Sequence, residues 1–384
     1  MGTENIEKSN YQNSSPKTND EVATIPLTID ENNVLEGARE VLKVIRPTWN
    51  DDNIKFKLFT DGITNKLVGC FHTDSKSSSP DSQQTTDIAK MSTTVPEDVV
   101  LVRVYGNKTD LLIDRKAETR NIQMLHSHGF APCLYAIFRN GLAYEYVPGV
   151  TLTSETVAEP QVWSLIARHM ADMHKIQIDC GSDDQPMLWG KVQQFLDILP
   201  ETYSDSRIDE RVKANFLPIR QFKDEFAALY KHLAALNSPI VFCHNDLLLG
   251  NVIYEKSTDR ITFIDYEYAG QNFQAFDIGN HFTEFAGVDV IDYRHYPSKE
   301  FQLKWLRSYL EVYLGPEKCV TERDVNVLYV QTNKFALASH FLWTVWALIQ
   351  AEHSTIDFDF VTFAQTRYNE YKARKDTFLA LTYE

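Results

Sequence analysis

Residues 240–254 read IVFCHNDLLLGNVIY, and this stretch decides how the second half of the chain folds. Apolar residues flank a polar centre that contains Asp246 and Asn251. After a short polar turn, a second apolar run, ITFI, leads directly into Asp265. Apolar runs separated by polar turns predict a strand, a loop and then a β-hairpin. The pattern therefore predicts a polar loop next to the end of the strand that carries Asp265.

These three oxygen-bearing side chains suit the transfer of a phosphoryl group from ATP to an alcohol. Asp246 would orient the attacking hydroxyl and accept its proton, whereas Asn251 and Asp265 would hold the magnesium ions that bridge the phosphates. Asp and Asn stand at the same separation in the protein-kinase pattern His-Arg-Asp-x4-Asn. The alternative interpretation is a surface turn in which the Asn and Asp residues are incidental.

Length and composition limit the class of protein. The 384 residues, 43% of them hydrophobic, are enough for a large core and two lobes. The net charge of -15 disfavours nucleic acid as a partner, because nucleic-acid affinity comes largely from Lys and Arg on phosphates. The sequence predicts no membrane insertion and no secretory signal, since its apolar runs are short and its N-terminus is polar. The five cysteines lack CxxC spacing, which indicates reduced thiols in a cytoplasmic protein.

Strand and helix patterns divide the chain into three segments: a disordered tail (1–22), a strand-rich N-lobe (23–146) and a helix-rich C-lobe (147–384). The lobes meet near a Pro-Gly break, and the N-lobe contains a Ser/Thr-rich loop over residues 73–94. Apolar periodicity predicts strands at 54–58, 66–72, 99–105 and 142–149. It predicts helices at 33–46, 115–128, 159–176, 191–199, 219–236, 299–313, 322–351 with breaks, and 358–381. The predicted fold class is therefore α+β with two lobes.

Several blocks of the sequence resemble the eukaryotic choline/ethanolamine kinase family, and its ethanolamine branch most closely. The blocks are TDGITNKL (60–67), CHNDLL (243–248), FIDYEY (263–268), FDIGNHF (276–282) and ALASHFLW (336–343). The resemblance covers about residues 25–371 and implies a bilobal, protein-kinase-like fold. It also implies ATP and Mg²⁺ as cofactors, and phosphorylation of ethanolamine as the first step of phosphatidylethanolamine synthesis.

The resemblance assigns roles around the catalytic loop. It implies that Asp246 contacts the substrate hydroxyl and that Asn251 and Asp265 hold magnesium. Glu267 lies two residues beyond Asp265, on the same face of an extended segment, and could reach a second ion directly or through water. A surface glutamate is the alternative. Asp277 resembles the buried aspartate that braces the catalytic loop in this fold, which is a structural role.

The nucleotide site is expected in the N-lobe. The resemblance implies phosphate contacts from backbone N–H groups near Gly62 and from the side chains of Thr64 and Asn65. A glycine in a hairpin turn is otherwise a common feature. Arg103 lies inside an apolar strand, where a charge needs a partner, and Glu118 on the following helix is the predicted partner. An outward-facing arginine on an edge strand is the alternative.

The adenine and amine contacts complete the expected site. Backbone groups from Glu145 to Val147 are expected to bond the adenine edge. Ethanolamine carries a primary ammonium that needs hydrogen-bond acceptors, whereas the quaternary ammonium of choline favours an aromatic cage. Glu284 is the acidic candidate for the amine pocket. Its aromatic candidates, by resemblance to the family, are Tyr268, Trp343 and Trp346.

The choice between the two amines depends on the aromatic residues. Tryptophans three residues apart on a helix are otherwise typical of a core. A Phe follows Glu284 where choline kinases carry Trp, and Phe363 stands where they tend to have Tyr. Fewer aromatic walls favour ethanolamine over choline. His169 and His174, on an otherwise apolar helix, are expected to be core or capping residues.

Other interpretations stay open on the sequence. A choline kinase, or a kinase that accepts both amines, is the alternative within the same class. A catalytically silent kinase-like binding protein and an antibiotic phosphotransferase are alternatives outside it. The presence of Asp246, Asn251 and Asp265 argues against the silent protein. The oligomeric state is open, with a homodimer as one option.

Overall fold

A computed structural model describes residues 22–59, 65–73, 98–106, 112–177 and 185–383. The predicted tail, up to residue 21, lies outside the described residues, and so does nearly all of the Ser/Thr-rich loop. A strand-rich first part and a helix-rich second part confirm the predicted α+β architecture with two lobes.

The first part is a six-stranded sheet with two helices. Its strands are β1 (Ala23–Ile25), β2 (Ile54–Phe59), β3 (Asn65–His72), β4 (Val99–Tyr105), β5 (Leu134–Phe138) and β6 (Gly141–Glu145). They lie in the order β1-β5-β6-β4-β3-β2, and only the β1–β5 pair is parallel. The helices are α1 (Val34–Ile45) and α2 (Arg115–Ser127).

Strand β4 shows how this sheet serves both a core and a site. Val100 and Val102 are fully buried and belong to one core with Ala38 of α1. Because side chains alternate along a strand, Leu101 and Arg103 point to the opposite face, where both line the cleft between the lobes. Strand β4 therefore directs Arg103 into the cleft, while the alternating valines of the same strand face the core.

The second part contains two small sheets and eight of the described helices. Strands β7 (Val150–Thr151), β9 (Val252–Glu255) and β10 (Arg260–Phe263) form one sheet, and β8 (Ile240–Cys243) pairs with β11 (Gly270–Phe273). The helices are α3 (Pro160–His174), α4 (Met187–Ile198), α5 (Ser206–Asn215), α6 (Ile219–Ala234), α7 (Gln274–Glu284), α8 (Lys299–Leu314), α9 (Glu322–His353) and α10 (Phe360–Leu379).

Helix α9 differs from its prediction, because it runs for 32 residues without a break. Every side chain from Phe335 to Gln350 is buried, and α9 packs against both α7 and α10. This buried segment has no polar face, so the alternation of apolar and polar residues that marks a surface helix is missing from its sequence. Gly279 permits the close approach of α7, since a Cβ there would lie 2.6 Å from the carbonyl oxygen of Thr332.

The order β8, loop, β9, β10 confirms the strand, loop and hairpin predicted around Asp246. The hairpin pairs Val252 with Phe263, and the N–H of Ile264 donates to the carbonyl of Asn251 at 3.0 Å. This register places the end of the loop beside Asp265. The local spacing in the sequence thus determines which polar residues meet.

Two further features concern the class of protein. None of the described helices combines the length and the apolar composition that a membrane crossing requires. The cysteines within the described residues are free thiols, at positions 70, 133, 243 and 319.

Candidate active site

A cleft of about 700 Å³ lies between the two lobes and brings most of the predicted site residues together. The residues that line it from the first lobe include Asn65, Arg103 and Glu145, and Val147 lines it at the junction of the lobes. Those from the second lobe include Asp246, Asn251, Asp265, Glu267, Tyr268, Glu284, Trp343 and Trp346. Glu118 lies behind Arg103 as its ion-pair partner. Gly62 and Thr64 lie outside the described residues.

Asp277, in the first turn of α7, holds the start of the catalytic loop. Its carboxylate accepts hydrogen bonds from the N–H groups of His244, at 2.9 Å, and Asn245, at 2.7 Å. His174 Nε2 lies 2.9 Å from the same carboxylate, so this histidine braces the loop through Asp277. Burial alone would raise the pKa of Asp277, but the hydrogen bond and charge of His174 lower that pKa below its ordinary value.

Two residues beside the reactive carboxylates adopt left-handed backbone conformations. Asn245 has φ of 67° and Asp265 has φ of 64°. Asn245 is fixed by its side chain, whose Nδ2 donates to the carbonyl of Tyr268 at 3.0 Å and whose Oδ1 accepts from Asn272 at 2.7 Å. Non-glycine residues in this region persist where their surroundings hold them, and they cluster at active sites. The backbone turns sharply at both positions, next to Asp246 and at Asp265 itself.

Asp246 faces three other carboxylates in the cleft. Enclosure of its half-buried side chain, together with the charges of Asp265, Glu284 and Glu267, raises the pKa of Asp246 well above its ordinary value. Arg367 acts in the opposite direction. A carboxylate with a raised pKa accepts a proton more readily, so this environment suits a base for a hydroxyl group.

Oxygen donors for a cation collect around Asp265 and Glu267, and we call this part of the cleft the metal end. The carboxylate oxygens of Glu118, Asp265 and Glu267 lie within 4.8 Å of one another. Asn251 Nδ2 donates to the backbone carbonyl of Asp246 at 2.9 Å, which leaves its Oδ1 as the atom for a cation. Carboxylate and amide oxygens are the ligands that Mg²⁺ prefers, so the donor set fits magnesium.

Arg103 has more partners at the metal end than the single ion pair predicted from the sequence. Its Nη1 lies 3.4 Å from Glu118 and 2.7 Å from Asp265, and its Nη2 bonds Glu267. Arg115, which the sequence interpretation did not include, bonds Glu118 at 3.0 Å and Glu267 at 3.1 Å. Arg103 is only 5% exposed, which contradicts the alternative of an outward-facing arginine. The five side chains form one network in which Arg103, Glu118 and Glu267 are buried and Arg115 and Asp265 are partly exposed.

The buried charges of the metal end shift each other's pKa. Burial would lower the pKa of Arg103, but the charges of Asp265, Glu267 and Glu118 raise it well above its ordinary value. Burial and the adjacent Asp265 raise the pKa of Glu267, against the opposing effects of Arg103 and Arg115. A cation bound at this end would stabilise the ionised form of Glu267.

The segment that follows β6 presents backbone groups to the cleft. The N–H of Glu145 donates to the carbonyl of Cys133 at 2.9 Å, and that of Tyr146 to the carbonyl of Val99 at 3.4 Å. No described residue accepts a hydrogen bond from the N–H of Val147, which lies in the cleft wall. Asn65, which also lines the cleft, donates through its Nδ2 to Glu267 at 3.4 Å.

Three aromatic rings line the cleft at what we call the amine end. Tyr268 meets Trp343 edge to face at 5.3 Å, and Trp343 meets Trp346 at 5.6 Å. Trp346 Nε1 donates to the hydroxyl of Tyr268 at 2.9 Å, and Trp343 Nε1 donates to Asn280 at 2.8 Å. Both tryptophans line the cleft, so they are not only core residues. Because their N–H groups bond within the protein, ring surface is what they offer a ligand.

Glu284, the acidic residue expected for the amine, is ion-paired to Arg367 of α10. Arg367 Nη2 bonds Oε1 of Glu284, and its Nη1 donates to the hydroxyl of Thr283 at 3.1 Å. Phe363, one turn earlier on α10, has its ring centre 5.4 Å from the guanidinium carbon. The sequence interpretation missed Arg367, because its partner lies 83 positions earlier and no local pattern links the two.

Comparisons with known proteins agree on one family. The family model described as choline/ethanolamine kinase matches residues 56–372. The chain is 50% identical to an ethanolamine kinase of Drosophila melanogaster, over 94% of this chain and 81% of that protein. It is 46% identical to ethanolamine kinase 2 of Homo sapiens, over 91% of this chain and 83% of that protein.

A solved structure supports the same assignment. The structure of an ethanolamine kinase of Plasmodium vivax is similar to this fold with a TM-score of 0.73 and 27% sequence identity. The similarity covers 90% of this chain and 89% of the other. Both lobes are therefore part of the shared fold.

Proposed function

The chain belongs to the choline/ethanolamine kinase family, and from this membership we propose that it transfers a phosphoryl group from ATP to the hydroxyl of ethanolamine. The product, phosphoethanolamine, is the first intermediate of phosphatidylethanolamine synthesis by this branch. The observation that carries the proposal is that Asp246 lines one cleft together with clustered oxygen donors, the acidic Glu284 and an aromatic wall.

Asp246 is the proposed catalytic residue. It accepts a hydrogen bond from the ethanolamine hydroxyl and orients its oxygen toward the γ-phosphorus. It takes the proton as the new O–P bond forms and the bond between the γ-phosphorus and the β,γ-bridging oxygen breaks, which releases ADP. Asn251, Asp265 and Glu267 would hold Mg²⁺, which when bound neutralises charge on the phosphates. The raised pKa of Asp246 favours this proton transfer, and positioning of the hydroxyl supplies much of the remaining effect.

The nucleotide is proposed to lie against the first lobe. Arg103 suits bidentate contact with phosphate oxygens, and Glu118 orients its guanidinium from behind. Asn65 lies on the same wall, and Gly62 and Thr64 are its proposed companions in the phosphate contacts. The adenine edge is proposed to bond the N–H of Val147 and the backbone of Glu145, as part of the same wall.

The acceptor amine is proposed to lie between Glu284 and the aromatic wall. A carboxylate meets the need of a primary ammonium for acceptors, which favours ethanolamine. The ring faces of Tyr268, Trp343 and Trp346 are the observation that favours choline as a second acceptor. We therefore propose ethanolamine as the preferred substrate and choline as a weaker one.

The remaining assignments concern the organisation of the protein. Residues 23–146 are proposed as the N-lobe and 147–384 as the C-lobe, with 1–22 as a tail. The phosphoryl-transfer chemistry fits a cytoplasmic enzyme that acts on a small molecule. A homodimer is one proposed assembly, and sedimentation of the purified chain would test it.

Product identification tests the proposed function. Purified protein is incubated with MgATP and, separately, ethanolamine, choline or an aminoglycoside, and products are resolved by ³¹P NMR. We expect phosphoethanolamine to form fastest and phosphocholine more slowly. Faster phosphocholine formation would make the protein a choline kinase. Absence of any phosphorylated amine, with ATP still bound, would favour the silent binding protein.

A further inference from the structure

We propose that Arg367 is a positioning residue that determines amine specificity, because it holds Glu284 by one carboxylate oxygen and leaves the other facing the acceptor ammonium. This inference rests on the proposed function, since it concerns the acceptor pocket of the same cleft. Arg367 would act through Glu284 and not by contact with the reacting atoms.

The geometry of α7 and α10 fixes the guanidinium. One arm of Arg367 bonds Oε1 of Glu284, and the other donates to the hydroxyl of Thr283 at 3.1 Å. The Thr283 hydroxyl is itself held, because it donates to the carbonyl of Asn280 at 2.7 Å. A guanidinium held at two points is pre-organised for a directional bond to a carboxylate.

The second oxygen of Glu284 is the part left for a ligand. Within the described part of the chain, Oε1 takes the bond from Arg367, and no residue donates to Oε2. Both Glu284 and Arg367 are at most 4% exposed, yet both line the cleft beside Trp346 and Phe363. A ligand that enters the amine end therefore meets Oε2 in a site shielded from water.

The charges of this end match one monovalent cation. Asp246 and Glu284 contribute two carboxylates, and Arg367 contributes one guanidinium. When Asp246 is ionised, the remaining negative charge equals the charge of one ammonium group. Without Arg367, two enclosed carboxylates would face a single ammonium, and an unpaired charge in a buried site is strongly unfavourable.

The effect on specificity follows from the chemistry of the two amines. A primary ammonium has three N–H donors that need acceptors, whereas a quaternary ammonium has none. An oriented Oε2 therefore contributes a hydrogen bond to ethanolamine but only a charge to choline. Loss of Arg367 should lower kcat/KM for ethanolamine more than kcat/KM for choline, and loss of Glu284 should give the same pattern.

A double-mutant cycle tests this coupling. The variants are Arg367→Met, Glu284→Gln and their double mutant. The matched control is Arg374→Met, which removes an arginine of the same helix that is ion-paired to Glu370 outside the cleft. Readouts are kcat/KM for both amines, KM for MgATP, and ethanolamine binding by calorimetry.

Arg367→Met should lower kcat/KM for ethanolamine by about 30-fold or more, mainly through KM, as expected for truncation of a buried hydrogen-bonded charge pair. Choline should lose less, and KM for MgATP should stay within about 2-fold, since the nucleotide lies at the other end of the cleft. In the Glu284→Gln background the same change should cost less than about 3-fold, because coupled residues are not additive. Arg374→Met should leave every parameter within about 2-fold.

Three results would overturn the inference. In the first, Arg367→Met leaves the kinetic parameters as unchanged as Arg374→Met does. In the second, it lowers kcat/KM for ethanolamine by the same factor in the wild-type and Glu284→Gln backgrounds. Tighter ethanolamine binding by Arg367→Met would mean that the arginine competes with the ammonium for Glu284. If Arg367→Met does not fold, Arg367→Lys replaces it, and the same pattern is expected at about 5-fold because lysine keeps the charge but lacks the fork. An unchanged Arg367→Lys enzyme would then overturn the inference.

Calorimetry separates this inference from the proposed function. Wild-type protein that binds ethanolamine with the expected pattern of variant losses, but forms no phosphoethanolamine, would refute only the proposed function. Wild-type enzyme that forms phosphoethanolamine, with an uncoupled Arg367, would refute only the role of Arg367. Protein that neither binds nor phosphorylates ethanolamine would refute both.

Discussion

The metal end and the amine end of the cleft both pair carboxylates with arginines, but they differ in what is left for a ligand. At the metal end, Arg103 and Arg115 contact all three carboxylates of the cluster, so the proposed metal ligands Asp265 and Glu267 are already ion-paired. At the amine end, Arg367 takes one oxygen of Glu284, and no described residue donates to the other.

This difference indicates how each end receives its ligand. A cation held by Asp265 and Glu267 would replace the positive charge of Arg103, and the guanidinium would then be available to phosphate oxygens. We therefore expect the metal end to exchange partners when MgATP binds. The amine end needs no exchange, since its open oxygen and ring faces exist before the amine arrives. Variants at the metal end should therefore change the binding of MgATP, and variants at the amine end should change kcat/KM for the amines.

The largest effect is expected at the metal end from Asp265→Ala. It removes a proposed metal ligand and a partner of Arg103, so ATP binding should no longer depend on magnesium. In calorimetric titrations, the affinity of the variant for ATP in the presence of Mg²⁺ should fall to the affinity measured with EDTA. Asp172→Ala, which removes a surface carboxylate paired with Lys175, serves as the control. Unchanged MgATP affinity in Asp265→Ala would move the metal site elsewhere.

At the amine end, Glu284→Gln should lower kcat/KM for ethanolamine by roughly 10- to 150-fold. This range corresponds to about 1.5–3 kcal/mol for one charge-assisted hydrogen bond. Choline should lose less, because it has no N–H to donate, so selectivity should shift toward choline. Glu370→Gln removes a carboxylate from the other arginine pair of α10 and should change neither amine. Equal proportional losses for both amines would exclude Glu284 from direct contact with the ammonium.

Arg103→Lys should raise KM for MgATP by about 10-fold, the scale of one bond to a charged group. A lysine cannot reproduce the bidentate fork of the arginine. Glu118→Ala should raise the same parameter, and KM for ethanolamine should stay nearly constant in both variants. Strict additivity in the double mutant would show that Arg103 and Glu118 are not coupled.

The smallest effect is expected from Trp346→Ala, and it should fall mainly on choline. Loss of one ring face removes about 1 kcal/mol of cation–π attraction, or roughly 5-fold in kcat/KM for choline. Trp346→Phe keeps a ring face but loses the bond to the Tyr268 hydroxyl, so it separates the two contributions. A larger loss for ethanolamine than for choline in Trp346→Ala would contradict this wall assignment.

Local spacing was sufficient for the catalytic loop, because its contacts are short in sequence. Asp246 and Asn251 lie on one loop, and the hairpin that follows brings Asp265 beside them. The two-lobe architecture and most helices were predictable for the same reason, since apolar periodicity is a local signal. The continuous α9 was not, because its segment from Phe335 to Gln350 is buried on all sides and has no polar face to mark the helical period.

Partners that are distant in sequence could not be predicted from a single chain. Arg103 meets Glu267 at a separation of 164 positions, and Arg367 meets Glu284 at a separation of 83. His174 was expected to be a core or capping residue, yet it holds Asp277 from a separation of 103 positions. The short strands β1 and β5 were missed as well, because their pairing across 113 positions, for example Ala23 with Ala136, is a tertiary contact.

The most direct test of the central claim is the rate of phosphoethanolamine formation by Asp246→Asn. This change keeps the shape of the side chain but removes its proton-accepting carboxylate. The account predicts that kcat falls by about 100-fold or more, the scale of general base catalysis. Calorimetric affinities for MgATP should change little, since the metal ligands remain. A kcat within a few-fold of the wild type would contradict the role of Asp246 and with it the account of the cleft.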